Sequence, residues 1–371
     1  MKVFLKTFKL SFVISLILLT SQISFSQSNG TLISNDYQGP RPTMLFLNIT
    51  PDAKASSMGD LGSSTAADAN SIYWNPGKLV SSSDNLGFAI SYTPWMRNIV
   101  SDMALFNISG FKKSDDNQAF GFAINYFDLG TFAATTNTGQ SNGNFSSAEY
   151  SVTGTYSRKL SDALSLGLNL KYINSNLSGN AADMVNKPAS TVAADLGLYW
   201  NKLGSNNWST SYGLVISNIS GKVSYGGQSK NFIPTNLRLG ITRSKEISEG
   251  NVFTYGLDIN KLMVPSVDSG KNLDDITAIG GMFSSIFQSP EAITTSIGAE
   301  YLINNVFALR GGFFNESKNT GNRKYLSTGF GIKLDQKYSI DFAYLVPTNG
   351  TQSPLANTIR LSLVGSISQG N

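Results

Sequence analysis

The side chains that could do chemistry here are carboxylates, lysines, arginines and hydroxyls, because the 371-residue chain contains no histidine and no cysteine. That removes the Ser-His-Asp triad, the Cys-His pair and every His-ligated metal centre. Carboxylate pairs could still act as general acid and base, but Asp274-Asp275 and Glu300 stand at no spacing that argues for it. The expectation is a protein that is not an enzyme and that takes no cofactor and no metal.

Three acids, Asp52, Asp60 and Asp68, fall in one irregular stretch from Asn48 to Leu79. The stretch keeps neither a period of 2 nor one of 3.6 and is dense in turn formers, among them Met58-Gly59, Asn70 and Asn75-Pro76. Each aspartate could accept backbone N–H groups in a turn. In Tyr73-Trp74-Asn75-Pro76 the proline holds Asn75 in extended or turn geometry, and two rings can dock on apolar surface with their polar ends bonded. Two readings of these residues stay open: they shape a tight loop, or they touch a ligand or partner. Either way the piece needs a scaffold and is expected inside or under the domain that follows.

The elements around it begin with a leader. Lys2, Lys6 and Lys9, the apolar run Leu10 to Leu19 and the small-x-small site Ser24-Phe25-Ser26 predict a signal peptide over residues 1–26, with the mature chain starting at Gln27. Three of the 28 basic residues leave with it and none of the 24 acidic ones, so the formal charge falls from +4 to +1. The basic pI is therefore no pointer to nucleic acid, and no Arg/Lys cluster with interleaved aromatics occurs. Residues 27–84 are expected to form a leader and plug, and residues 85–371 a barrel domain.

Beyond residue 85 the chain is poor in charge, at 14%, and has no run of 18 apolar residues after the leader. The period settles at two. Phe120, Phe122, Ile124 and Tyr126 alternate with Gly121, Ala123 and Asn125, and Leu164 to Tyr172 alternates in the same way. Strands are predicted at 85–92, 101–111, 118–128, 149–158, 164–174, 191–201, 208–217, 234–243, 252–260, 293–302, 306–315, 325–333, 338–346 and 357–365, fourteen in all. Most have the length a tilted strand needs to cross a bilayer, and bacterial single-chain barrels use even numbers. The fold class expected is all-β, a transmembrane antiparallel barrel with an N-terminal plug.

The connections agree. Short ones such as Leu160 to Ala163, Asn304-Asn305 and Asp335-Gln336 alternate with long ones: Gly130 to Ala148, Ser175 to Ser190, Asn218 to Ile233, Lys261 to Ala292, Glu316 to Lys324 and Pro347 to Ala356. An outer-membrane barrel places short turns in the periplasm and long loops outside. Within the long connection from Lys261, Ile276 to Phe287 is apolar enough for a short helix that packs on the rim or touches a partner. Lys171, Asp195, Arg238, Asp258, Glu300, Arg310, Lys333, Asp341 and Arg360 sit within strands, where a lipid-facing charge is costly, so they are expected to point inward as a lattice that holds the plug.

The runs PDAKASSMGD, ADANSIYWNP and SYTPWMR, from Pro51 to Arg97, resemble the PorV family of type IX secretion outer-membrane barrels. Gly77 departs mildly from the alanine that often follows the Asn-Pro pair. A looser match, Met-Gly followed by an Asn-Pro turn, is similar to the plug of FadL-like transporters. The resemblance implies an outer-membrane protein that receives the C-terminal β-domains of cargo from a large outer-membrane translocon and passes them to a sortase-type surface attachment complex. Outer-membrane lipid would surround it, and nucleic acid is no partner. Trp95, Met96 and Arg97 in the first exterior loop are the candidate partner contact, with a belt role for Trp95 as the plain reading. The competing reading is a FadL-like channel for hydrophobic small molecules, which would need a continuous apolar tunnel; the inward faces read here as Gly, Ser, Thr, Asn and charge.

Overall fold

A computed structural model describes residues 39–96, 100, 102–135, 138–178, 187–204, 206–266, 273–287, 292–348 and 358–367. The leader over residues 1–26 lies outside them, as does Arg97. Fourteen strands run β1 Leu86–Pro94, β2 Ala104–Asp115, β3 Gln118–Thr135, β4 Ser141–Lys159, β5 Leu164–Asn176, β6 Ala189–Leu203 and β7 Trp208–Ser220. They continue with β8 Asn236–Ser248, β9 Asn251–Leu262, β10 Ile293–Ile303, β11 Phe307–Glu316, β12 Lys324–Leu334, β13 Tyr338–Pro347 and β14 Ile359–Ile367. Each pairs antiparallel with its neighbours, and β14 closes on β1 with Ile90 opposite Leu363. Closure leaves no edge strand, which is the condition for a sheet to stand in hydrocarbon.

The two faces separate as the alternation predicts. Along β1, Phe88 and Ile90 are 40% and 47% exposed, whereas Ala89 and Ser91 are 0% and 2%. An apolar band exposed all round and a buried polar interior is the reverse of a soluble core, and it belongs in a bilayer. Among the described residues no helix is long and apolar enough to span one.

The connection expected from Gly130 to Ala148 is instead a β-hairpin. β3 and β4 run on past their other neighbours: β2 stops opposite Asp128 and β5 opposite Ala148, while Thr131–Ser146 and Phe132–Phe145 continue the ladder. The rings of Phe132 and Phe145 stack at 5.6 Å, and such cross-strand pairs hold a two-stranded ribbon together. The helix expected within Ile276 to Phe287 is present as Ala278–Ser285, capped by Thr277, whose Oγ1 accepts the Gly280 N–H at 3.1 Å. It packs Gly281 against Phe232 and leaves Ile279, Phe283 and Phe287 exposed.

Inside the ring of strands lies the irregular stretch. It carries two short helices, α1 Ala53–Ser57 and α2 Ser71–Trp74, and a 3₁₀ turn at Pro76–Ser81 that Pro76 opens. The helix at Ala278–Ser285 is α3. Two apolar clusters lie within the barrel. Ile72, Leu79, Val80, Phe111 and Ala119 form one. Met44, Phe46, Leu105, Phe127, Ile173 and Ile233 form the other, at the long-loop end of the barrel.

Candidate functional site

The plug is fastened to the wall on every side. Asp258 of β9 accepts the N–H groups of Gly62 and Ser63 at 3.0 and 2.9 Å and the Ser63 hydroxyl at 2.6 Å. Across the lumen Ala53 N–H donates to Ser362 Oγ at 2.9 Å, and Gly59 N–H to Ser327 Oγ at 2.8 Å. On the third side Asn169 Nδ2 donates to the Ile72 carbonyl at 2.8 Å and Ser165 Oγ to that of Gly77 at 2.6 Å. These bonds satisfy backbone groups that an irregular segment would otherwise bury unpaired.

The wall is shaped for close approach. A Cβ on Gly312 would stand 2.1 Å from the Met58 carbonyl carbon, and one on Gly167 would stand 2.2 Å from the backbone at Pro76 and Gly77. Only residues without side chains admit plug backbone at that distance. Gly329, in the Gly-Phe-Gly alternation of β12, serves the same end against Ser57.

The residues singled out from the sequence gather in this plug. Asp52 caps α1 through Oδ1, which accepts Ala55 N–H at 2.8 Å, and takes the Trp74 indole N–H on Oδ2 at 2.7 Å. Burial, with a contribution from Asp68, pushes its carboxyl above the usual range. Met58 is fully buried, and Gly59 and Asp60 both turn through positive φ, at 72° and 63°. Asp60 accepts the Tyr325 hydroxyl and lies 3.4 Å from Arg360. Asp68 holds the Asn70 N–H at 2.9 Å and pairs with Lys54 at 3.6 Å. Asn75 bridges by Nδ2 to the carbonyls of Ser63 and Leu198, at 3.0 and 2.9 Å, ahead of Pro76. Arg238 lies over the Trp74 ring at 4.5 Å.

The lattice of inward charges is also present. Arg310 joins Glu300 at 2.5 Å and Asp341 at 2.6 Å, and Lys171 joins Asp195 at 2.7 Å. Lys333 differs in being exposed. One lumenal group had no signal of its own. Lys78 sits in Asn-Pro-Gly-Lys-Leu, which reads as a solvated turn, yet it is buried and donates to the Gly62 carbonyl at 2.7 Å and the Thr65 hydroxyl at 3.1 Å. Burial lowers its pKa to about 8, and burial raises that of the Tyr73 phenol to about 12. Between the plug and β2–β5, Asn70, Ser109, Thr153 and Lys171 line a cavity of about 10 Å³, the room one water needs.

Trp95 and Met96 lie at the long-loop end, half-buried against the second apolar cluster, with the Trp95 ring perpendicular to Phe127 at 6.2 Å. Tyr225 is tied into the same cap by bonds to Thr43 and Ser175 at 2.9 and 2.8 Å. Among the described residues no cluster of acids could hold a metal ion.

The barrel has known relatives in shape. It superposes on the toluene transporter TodX of P. putida with a TM-score of 0.53 at 14% identity, covering 86% of this chain and 99% of that one. The corresponding values for the toluene transporter TbuX of Ralstonia pickettii are 0.50, 13%, 85% and 98%. For the monoaromatic hydrocarbon channel CymD they are 0.51, 13%, 89% and 100%. At these identities the likeness is one of fold, that of FadL-like outer-membrane barrels. No curated protein matches the sequence. Residues 38–269 do match a family, described as type IX secretion system protein PorV. With closed barrel, internal plug and family match together, the chain is an integral protein of the bacterial outer membrane and belongs to the PorV family of the type IX secretion system.

Proposed function

We propose that this barrel receives the C-terminal β-domains of secreted cargo as they leave the large outer-membrane translocon and hands them to the sortase-type surface attachment complex. The observation that carries the reading is the pinned plug: its N–H groups donate to Asp258, Ser327 and Ser362, and its carbonyls accept from Asn169 and Ser165, so that β5, β9, β12 and β14 all hold it. A lumen closed in this way leaves the exterior surface as the place of contact, where loops rich in polar residues and aromatics make an adaptable docking face. Trp95, Met96 and Arg97 are the proposed contact. The same proposal divides the chain into a signal peptide 1–26, an N-terminal leader and plug segment 27–84 and a barrel 85–371.

The competing reading, passage of hydrophobic small molecules, needs an apolar path through the lumen. The groups that face the plug are instead serines, asparagines and ion pairs. Affinity purification from outer membranes in mild detergent separates the two. Recovery of a large translocon, or of secreted proteins with one shared C-terminal domain, supports the cargo role. Trp95→Ala then keeps heat resistance and lowers cargo recovery. A solitary barrel with bound alkyl ligand, and secretion intact in a deletion strain, rejects it.

A further inference from the structure

On the outer face of β6–β9 the wall is hollow. A groove of about 480 Å³ runs across these strands, lined by Trp200, Tyr212, Leu214, Leu239, Ile241 and Leu257 with the glycines of β7 and β8 at its floor. The hollow has a counterpart inside: a Cβ on Gly213 would meet the Ser63 carbonyl oxygen of the plug at 2.3 Å and one on Gly240 the Ser63 hydroxyl at 1.9 Å, so the plug comes up close to these two glycines.

The register fixes what borders the groove. Tyr212 stands opposite Ile241, and Leu214 opposite Leu239. One step along the same outward face, toward the short turns, Thr210 stands opposite Arg243 and Lys202 opposite Thr210. A further step brings Trp208 opposite Lys245. Successive rows on one face lie roughly 7 Å apart, so the cations sit within a headgroup's reach of the apolar hollow.

These cations are held ready. The Arg243 guanidinium lies over the Trp208 ring at 4.4 Å, and the Lys245 ammonium at 5.4 Å. None of Lys202, Arg243 and Lys245 forms an ion pair among the described residues. The nearest acid along β8, Glu246, falls on the other face of the strand by alternation and takes the Gly250 N–H at 3.3 Å. The short connections from β6 to β7 and from β8 to β9 place this end at the periplasmic leaflet.

We propose that this face is a binding site for an anionic phospholipid of the periplasmic leaflet, with an acyl chain in the groove and the phosphate on Arg243 and Lys245. An ordinary interfacial belt supplies aromatics and cations at the right depth; here they border a hollow that fits a chain. A phosphate oxygen is the acceptor that a stacked guanidinium matches best, and each cation near a headgroup contributes about 1 kcal/mol, a factor of roughly five in occupancy.

The test uses the full barrel in phosphatidylcholine vesicles doped with brominated-chain phosphatidylglycerol, reading quenching of tryptophan fluorescence against brominated-chain phosphatidylcholine at equal mole fraction. Trp200 in the groove and Trp208 beside it report. Brominated phosphatidylglycerol should quench in excess of its bulk share, and about 1 M salt should abolish the excess by screening. Arg243→Ala with Lys245→Ala should remove it, and the pair Leu214→Phe with Leu239→Phe should reduce it with the charges intact. Lys112→Ala on distant β2 should leave it unchanged. Equal quenching by the two lipids overturns the site, as does an excess that survives salt. Cross-linking of two barrels through the groove would assign the face to a second copy instead. The salt arm needs no variant, so a misfolded substitution does not decide the outcome.

Discussion

The indole N–H of Trp74 donates to Asp52 Oδ2 at 2.7 Å, while Oδ1 of the same carboxylate caps α1 on Ala55 N–H at 2.8 Å. One buried side chain thus couples the two helices of the plug, 22 residues apart in sequence.

Removing that coupling should loosen the plug. Asp52→Ala strands two buried donors, each costing about 1–3 kcal/mol. The expected result is a lower temperature for the heat-induced mobility shift on gels, with protease cuts between residues 51 and 84. Asp52→Asn keeps one acceptor oxygen and should fall between the two. An unchanged transition in Asp52→Ala would mean that the wall alone holds the plug.

Close approach of plug and wall gives a second expectation. Gly312→Ala places a methyl 2.1 Å from the Met58 carbonyl carbon, and nothing lies within 4 Å of the corresponding position on Gly154. Overpacking of this kind costs about 1–3 kcal/mol. Gly312→Ala should therefore destabilise the barrel in a urea titration in detergent, and Gly154→Ala should match the parent chain.

How far the sequence foretold this can be judged from particular residues. Phe88, Ile90 and their successors announced the strands because lipid on one side and plug on the other enforce a strict period of two. The β3–β4 ribbon was hidden, since Gly130, Thr135 and Gly139 read as loop, and only the pairing of Phe132 with Phe145 across the turn makes it a strand. Asp258 was legible as an inward charge. Its partners, the N–H groups of Gly62 and Ser63, lie 195 residues or more away and carry no side-chain signal. Lys78 was lost for the opposite reason: a lysine after Pro-Gly looks solvated, and only the carbonyl of Gly62 shows why it is not.

That lysine predicts a pH dependence. Its folded pKa is lowered from 10.5 to about 8 by burial, so between those values the unfolded chain holds a proton that the folded one has released. Stability must then rise with pH across the window from 8 to 10.5, by about 3 kcal/mol if no other group intervenes. Lys78→Met should flatten this segment of the pH profile of urea midpoints. A slope equal to that of the parent chain would assign the dependence elsewhere.

The Arg310 triad makes the last expectation the sharpest. The guanidinium serves Glu300 at 2.5 Å and Asp341 at 2.6 Å, and Asp341 is 2% exposed. Taking away the arginine leaves two like charges inside the barrel with Lys54 as their remaining nearby cation, and breaking such a buried cluster costs about 3–5 kcal/mol. Arg310→Leu should accordingly fold poorly, and Arg310→Lys, with a single-point charge in place of a fork, should recover only part of the loss. Adding Glu300→Leu and Asp341→Leu to Arg310→Leu removes the whole cluster, and an all-apolar patch of similar volume can equal a buried ion pair. The triple variant should then regain most of the stability that the single one forfeits. If it does not, the ion pairs themselves, and not the avoidance of bare charge, hold β10, β11 and β13 in register.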